Sequence, residues 1–199
     1  MAAGTFRGFV CVSLPSDVRA FLEGFMAEAR RGFPSFRFVS SENLHITLEF
    51  LGNEVSRAMV PRITHVIQES VAHVAPFELC LGTPSAFPSR GRPRVLYVGT
   101  DKGTDRLVEL ASKVRSGLVT LGFEADKPFQ PHITLARRRR DRHEGEGPDE
   151  RALWEKAFSR LRQGSLCWCV SQVFLMESTL TPAGAVYSEL GRIALPEGR

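Results

Sequence analysis

A four-residue string, His-Ile-Thr-Leu, occurs twice in this chain of 199 residues. The two copies occupy 45–48 and 132–135. Each copy lies in a segment typical of a β-strand, in which successive side chains point to opposite faces. Histidine and threonine of each copy therefore share a face: His45 with Thr47, and His132 with Thr134. A repeat of this kind predicts two similar lobes related by a pseudo-twofold axis, each contributing one His-Thr face.

Hydrophobic periodicity predicts strands and helices intermixed around these motifs. Apolar runs and alternation predict strands at 5–14, 36–39, 43–51, 77–81, 94–99, 130–136, 166–177 and 185–195. Apolar residues at three- and four-residue steps predict helices at 16–32, 57–72 and 104–122, and a short helix capped by Asp149. We expect an α+β fold with antiparallel-rich sheets and helices outside. Because no Gly/Ser-rich linker divides residues 1–199, we expect a single bilobal domain.

Composition and charge indicate the cellular compartment and the kinds of partner to expect. There are 26 Lys+Arg against 22 Asp+Glu, a net charge of +4, and this mild positive charge attracts phosphates. We find neither a signal peptide nor a run of ~20 apolar residues, so we expect a cytoplasmic protein with no membrane partner. No two cysteines form a C-x-x-C pair, so we expect free, largely buried thiols. The four are Cys11, Cys80, Cys167 and Cys169.

The paired motifs predict metal-free hydrolysis of a phosphodiester. Imidazole works as acid and as base near neutral pH, so one histidine can accept a proton from water while the other donates one to a leaving oxygen. Threonine hydroxyls can hold phosphate oxygens as their charge grows. A metal pair is the alternative, and it is disfavoured because the second motif is followed by Ala136 where the first has Glu49.

The chain resembles the two-histidine phosphoesterases, and most closely the bacterial RNA 2′,3′-cyclic phosphodiesterases, also called LigT-like proteins. The resemblance rests on five stretches in family order, at 9–15 (FVCVSLP), 42–52 (ENLHITLEFLG), 86–98 (AFPSRGRPRVLYV), 122–137 (GFEADKPFQPHITLAR) and 173–182 (VFLMESTLTP). It implies a bilobal α+β fold with a central cleft. It also implies hydrolysis of a 2′,3′-cyclic phosphate on RNA ends or nucleotides to a 2′-phosphomonoester, with no metal and no cofactor.

The resemblance also implies a role for each motif residue. His45 would be the proton donor to the departing 3′ oxygen, and His132 the proton acceptor that activates water. Thr47 and Thr134 would bind the phosphate. Relatives often carry Lys where Glu49 stands, and strand parity puts this carboxylate on the cleft face, where it would repel phosphate.

Two further residues are candidate substrate contacts, although strand parity assigns both to the core face. Phe50 is expected mainly to pack there, with stacking on a base as the alternative. Arg137 lies at a strand end, where a turn could direct it to the cleft and to phosphate or ribose. The basic run 137–142 is either a solvated loop or an RNA contact.

Two other functions stay open at this point. The same residues serve the reverse reaction, 2′-5′ RNA ligation, although water at ~55 M favours hydrolysis. A non-catalytic RNA-binding module would use the cleft and the arginines, but binding alone requires no matched acid and base. We expect a monomer with no obligate protein partner. The sequence leaves the physiological substrate open.

Overall fold

A computed structural model describes residues 4–124, 128–139, 150–159, 166–182 and 184–197. Within these residues the strands are β1 (Thr5–Ser13), β2 (Phe36–Phe38), β3 (His45–Ser56), β4 (Phe77–Phe87), β5 (Val95–Thr100), β6 (Ile133–Arg138), β7 (Cys167–Val170), β8 (Gln172–Thr181) and β9 (Gly184–Ala194). The helices are α1 (Ser16–Ala29), α2 (Val60–Val71), α3 (Thr104–Val119) and α4 (Glu150–Ser159). Asp149, the expected cap of α4, and residues 140–142 of the basic run lie outside the described residues.

The strands form two antiparallel sheets. The first has the order β3-β1-β8-β9 and the second the order β2-β6-β5-β4-β7. The chain crosses between them, because β2 from the N-terminal half joins the second sheet while β8 and β9 complete the first. The strands that carry the two motifs, β3 and β6, come into contact where the sheets meet. The predicted α+β class with antiparallel sheets is confirmed.

One hydrophobic cluster extends through both sheets and all four helices. Strand β1 shows how the sheet face is used, since Val10 and Val12 point into this cluster while Phe9 and Cys11 lie on the opposite face. Trp154 of α4 is fully buried, and its indole N–H donates to the Tyr97 carbonyl at 3.2 Å. No helix in the described part of the chain has both the length and the apolar character needed to cross a membrane.

Three strand predictions were wrong in their bounds. The strand predicted at 77–81 continues to Phe87, because β5 pairs with it from Leu81 to Phe87. The strand predicted at 43–51 continues through Gly52 and Asn53 to Ser56, because β1 pairs with it as far as Thr5. The strand predicted at 166–177 is two strands, divided at Ser171. The first pairs with β4 in the second sheet and the second with β1 in the first sheet. Hydrophobicity alone does not reveal this change of sheet, since both parts are apolar.

The expectation of four free thiols was wrong for two of them. Cys80 of β4 and Cys167 of β7 are directly opposite in the strand pairing, and they form a disulfide. Cys11 is free and buried, and Cys169 is free and exposed. The pairing of β4 with β7 brings together residues far apart in the chain, so no local spacing could predict this bond.

Candidate active site

The two His-x-Thr motifs meet in one cavity of about 220 Å³. His45 and Thr47 enter it from β3, while Thr134 enters from β6 and His132 from just before that strand. All four side chains are partly buried. The expected convergence of two imidazoles and two hydroxyls is therefore present in the geometry.

The imidazole of His45 is fixed on both sides. Its Nδ1 lies 2.7 Å from the Asn43 carbonyl oxygen and its Nε2 lies 3.0 Å from Thr47 Oγ1. The Phe9 ring packs against it with 4.8 Å between centroids, and the Tyr187 ring meets it edge-on at 5.3 Å. These contacts leave Nε2 as the ring nitrogen directed at the threonine and the cavity.

His132 has an equivalent environment built from different residues. Its Nδ1 lies 2.7 Å from the Gln130 carbonyl oxygen, again two residues earlier in the chain. Phe87 and Tyr97 meet its ring at centroid distances of 5.1 and 5.5 Å. In both histidines a carbonyl accepts a hydrogen bond from Nδ1–H, and this fixes the tautomer. Each Nε2 can then accept a proton when the ring is neutral and donate one when it is charged.

Burial favours the neutral form of both imidazoles. Burial lowers the pKa of His45 to about 4, and the positive charges of His132 and Arg137 act in the same direction, against the Asn43 carbonyl. Burial and the Arg137 charge also lower the pKa of His132, against the Gln130 carbonyl. A phosphate anion in the cavity would oppose these effects, because a nearby negative charge favours the protonated imidazole.

Each motif contains a β-bulge at its leucine, and this bulge changes which side chains face the cavity. Successive β1 residues pair with Thr47 and Glu49, so Leu48 is the extra residue of β3. Successive β5 residues pair in the same way with Thr134 and Ala136, so Leu135 is extra in β6. A bulge of this kind shifts the alternation of the strand by one residue. The fifth residue after each histidine therefore faces the cavity rather than the core.

The bulge overturns the expected position of Glu49. This side chain is only 7% exposed and points away from the cavity. Its Oε2 lies 2.7 Å from Nε of Arg115 on α3. The hydrogen of this Nε is donated to the Leu48 carbonyl at 3.1 Å, so the contact between Glu49 and Arg115 is an ion pair rather than a hydrogen bond. Oε1 accepts a hydrogen bond from the Phe50 backbone N–H at 2.9 Å. Glu49 therefore cannot repel a phosphate directly, and it stabilises the bulge instead.

The same bulge places Phe50 at the cavity, so its expected core position was wrong. The ring is 41% exposed and lines the cavity with both motifs. The guanidinium of Arg7 lies over the ring at 4.4 Å from its centroid and also donates to the Asn53 side chain. An exposed aromatic ring beside an arginine guanidinium offers a surface on which a nucleobase could stack.

Arg137 is the counterpart of Phe50 in the second motif. It is exposed at the cavity wall, and its charge affects the pKa of both histidines. The neighbouring Arg138 has a structural role, because its guanidinium pairs with Glu150 and its Nε donates to the Pro93 carbonyl at 2.6 Å. Of the basic run, only Arg137 lines the cavity among the residues that the structure describes.

Sequence reasoning missed the residues that surround the histidines. Arg7 and Phe9 follow the period of two along β1 that also directs Val10 and Val12 to the core, so alternation could have indicated them. Tyr187 comes from β9, at the far end of the chain, and no local signal connects it with His45. Burial raises the pKa of Tyr187, with the charges of Arg137 and Arg7 opposing this effect.

The cavity offers few metal ligands. Of its described lining residues, His45 and His132 are the ones with a nitrogen that commonly binds a metal, and there is no carboxylate or thiol among them. A catalytic zinc typically takes three protein ligands. The donor set therefore fits an acid–base pair better than a metal centre.

Comparison with known proteins assigns the family. The model of the 2′-5′ RNA ligase superfamily matches residues 15–181. The RNA 2′,3′-cyclic phosphodiesterase of Archaeoglobus fulgidus is 33% identical over 184 residues, which cover 92% of this chain and 97% of that protein. The enzyme of the same description from Methanothermobacter thermautotrophicus is 28% identical, with coverage of 92% and 96%. The chain belongs to the 2′-5′ RNA ligase superfamily.

Solved structures agree in fold. The TT0787 protein of Thermus thermophilus is 30% identical with a TM-score of 0.77, and the match covers 97% of this chain and all of that one. E. coli LigT in its apo form is 25% identical with a TM-score of 0.74, covering 98% of this chain and all of LigT. The chain is thus an enzyme of this superfamily with a LigT-like α+β fold.

Proposed function

We propose that the protein hydrolyses the 2′,3′-cyclic phosphate of RNA ends or nucleotides to a 2′-phosphomonoester, without a metal ion. The observation that carries the proposal is the pair of imidazoles in one cavity, each with Nδ1 fixed by a backbone carbonyl; Nε2 of His45 faces the Thr47 hydroxyl. The names of the relatives support the substrate class, since several are called RNA 2′,3′-cyclic phosphodiesterase.

The reaction needs one neutral and one protonated histidine. Neutral His132 accepts a proton from water at Nε2 while the water oxygen forms a bond to phosphorus. The bond from phosphorus to the 3′ oxygen breaks, and protonated His45 donates its Nε2 proton to that oxygen. The products are a 2′-phosphate and a 3′-hydroxyl, and the two histidines have exchanged protonation states.

The remaining cavity residues hold the phosphate. Thr47 and Thr134 present hydroxyls on the same face as the histidines, and Arg137 supplies a positive charge. Because both histidines have lowered pKa values in the free protein, the proton on His45 is taken up together with the anionic substrate. Arg137 thus has two opposing effects, since it attracts the phosphate but disfavours the proton that the donor needs.

The two histidines provide the test. In buffer with EDTA, wild type is expected to turn over a 2′,3′-cyclic nucleotide, and His45→Ala and His132→Ala are each expected to lose at least ~10²-fold in kcat. His65→Ala, on an exposed position of α2, is the matched control and is expected to retain full activity. Near-normal turnover in either cavity variant would overturn the acid–base assignment. RNA binding without turnover by wild type would indicate a binding module instead.

The family description supports a second activity. Because acid–base catalysis is reversible, the same residues would join a cyclic phosphate to a 5′-hydroxyl and form a 2′-5′ bond. An assay with an RNA that ends in a 2′,3′-cyclic phosphate and an RNA that begins with a 5′-hydroxyl, both in excess over the protein, tests this. We expect hydrolysis to exceed ligation. A larger yield of joined product than of hydrolysed ends would reverse the order of the two activities.

A further inference from the structure

The catalytic cavity continues into a second, larger cavity of about 1050 Å³, which we call the groove. Eight of the twelve residues that line the catalytic cavity also line the groove, so the two form one continuous space. The floor of the groove is the face of the first sheet that points away from the main core. Its opposite wall includes Arg37, Phe38 and Val39, in and just after β2 of the second sheet.

The floor combines apolar side chains with polar ones such as Arg7, Ser13 and Ser178. Phe9 and Cys11 of β1 and Phe174 of β8 form a small cluster of their own on this face, separate from the main core. Farther along, Leu180 is 71% exposed and Val186 is 52% exposed, at the end of the β8–β9 hairpin. Because Phe9 and Phe174 are only 5% and 9% exposed, nucleobases would contact the exposed Leu180 and Val186 and stack on the partly buried Tyr187 ring, with little dependence on base identity.

The groove is also strongly basic. Five arginines line its described part against two glutamates. One arginine, Arg192, is ion-paired with Glu189, and apart from that pair four arginines line the groove with Glu42. Charge of this sign beside a partly apolar floor is complementary to a single nucleic acid strand, which exposes bases on one side and phosphates on the other.

Two of these arginines are direct neighbours across a strand pair. Arg37 of β2 and Arg137 of β6 are register partners, and both line the groove. Register partners present their side chains on the same face, and like charges at such positions destabilise a sheet. The pair places two guanidinium groups side by side on the groove wall, where they can contact phosphates of a bound RNA strand. Arg137 lines both the catalytic cavity and the groove, whereas Arg37 on the adjacent strand lines only the groove. Arg37 is therefore farther from the reacting phosphate.

The length of the groove exceeds one nucleotide. Its floor extends along β8 from Phe174 to Leu180, which is ~20 Å at the usual rise of a strand. Stacked nucleotides repeat at roughly 3.4 Å in a helical strand, so several fit over this distance. A mononucleotide would leave most of the groove empty.

We infer that the groove binds the RNA strand that leads to the reacting end, with Arg37 contacting a phosphate on the 5′ side of the cyclic one. The inference rests on the proposed function. At a 2′,3′-cyclic end, the 2′ and 3′ oxygens of the last ribose are both bonded to the same phosphorus, so the rest of the RNA is attached through the 5′ oxygen. Seating that ribose in the catalytic cavity directs the chain into the space that opens from it. The protein therefore prefers oligonucleotides to mononucleotides.

Substrate length tests the inference. Wild type would be assayed in EDTA with a 2′,3′-cyclic mononucleotide and with a tetranucleotide that ends in the same cyclic nucleotide. We expect kcat/KM for the tetranucleotide to be at least ~10-fold higher at low salt, and to fall more steeply as salt increases. Equal values would overturn the inference and leave the proposed function intact. Failure to hydrolyse either substrate would contradict the proposed function itself.

The variant Arg37→Ala tests where the RNA strand lies in the groove. We expect this change to lower the preference for the tetranucleotide about five-fold and to reduce its log–log salt slope by about 0.7, the value for one phosphate contact on a single strand. Arg62→Ala, which removes the same charge from an exposed position on α2, is the matched control. A length preference that Arg37→Ala and Arg62→Ala affect equally would contradict the assigned path. A circular dichroism spectrum identical to wild type confirms that Arg37→Ala is folded.

Discussion

The stability of the protein is expected to fall between pH 6.5 and pH 4 because His45 is buried in its neutral form. In the unfolded chain this histidine has an ordinary pKa of 6.5, whereas in the folded protein burial lowers it to about 4. Over this pH range the unfolded state therefore binds a proton at His45 that the folded state does not bind. Stability from this source is complete above pH 6.5 and decreases as the pH falls towards 4.

The size of the effect follows from the shift. At about 1.4 kcal/mol for each pKa unit, the shift of His45 from 6.5 to about 4 amounts to at most about 3.5 kcal/mol. Loss of that amount is a large part of the stability of a typical domain. The lowered pKa of His132 adds a loss in the same direction. Partial solvent access to both rings makes the sum an upper bound.

Urea unfolding of His45→Asn measures this contribution. Asparagine does not titrate, and its side-chain amide can keep a hydrogen bond to the Asn43 carbonyl, which Nδ1 contacts in wild type. Groups remote from His45 titrate identically in both proteins, so the difference reports His45 together with its coupling to His132. We expect wild type to lose about 2 kcal/mol more than the variant between neutral pH and pH ~4.5. Equal losses in the two proteins would refute the reasoning, and His65→Asn, an exposed histidine on α2, is the control.

Four other outcomes are expected. Arg137→Gln removes a charge that lowers both histidine pKa values, so the bell-shaped pH profile of kcat/KM should move to higher pH while its maximum falls at least ~10-fold; an unmoved profile would contradict the electrostatic account. Glu49→Gln leaves the cation of a mostly buried ion pair without its carboxylate, so the free energy of unfolding should fall by about 2–3 kcal/mol with KM little changed; stability equal to wild type would show that the pair is not needed. Phe50→Ala should raise KM for a cyclic nucleotide about five-fold with a smaller change in kcat, whereas an unchanged KM would exclude stacking on this ring. We propose that residues 1–199 form a single domain and that the protein is a monomer. Thermal unfolding should then show one transition, and sedimentation should give a mass of 22.1 kDa. Two separated transitions would contradict the single domain, and a larger mass would contradict the monomer.

The catalytic motifs could be predicted from the sequence because their information is local. A repeated His-x-Thr string and the period of a strand are enough to place His45 with Thr47 and His132 with Thr134 on common faces. The class of fold followed from the order of apolar periodicities. Both depend on residues within a few positions of each other.

The cavity walls depended on contacts between distant segments. A bulge at Leu48 reverses the alternation of β3, so Glu49 and Phe50 exchange the faces that parity gave them. The bulge is defined by the pairing with β1, and the ion pair from Arg115 on α3 supports it, so neither can be inferred from residues 45–50. Tyr187 reaches His45 only because β9 completes the first sheet.

The reaction product tests the central proposal most directly. A 2′,3′-cyclic nucleotide would be incubated with the wild-type protein in EDTA and ¹⁸O-labelled water, and the product followed by phosphorus NMR. If His132 activates water and His45 protonates the 3′ oxygen, the sole product is the 2′-phosphate, with one ¹⁸O atom on phosphorus. A 3′-phosphate would show that the other ring oxygen leaves, and no turnover would contradict the proposed hydrolase activity.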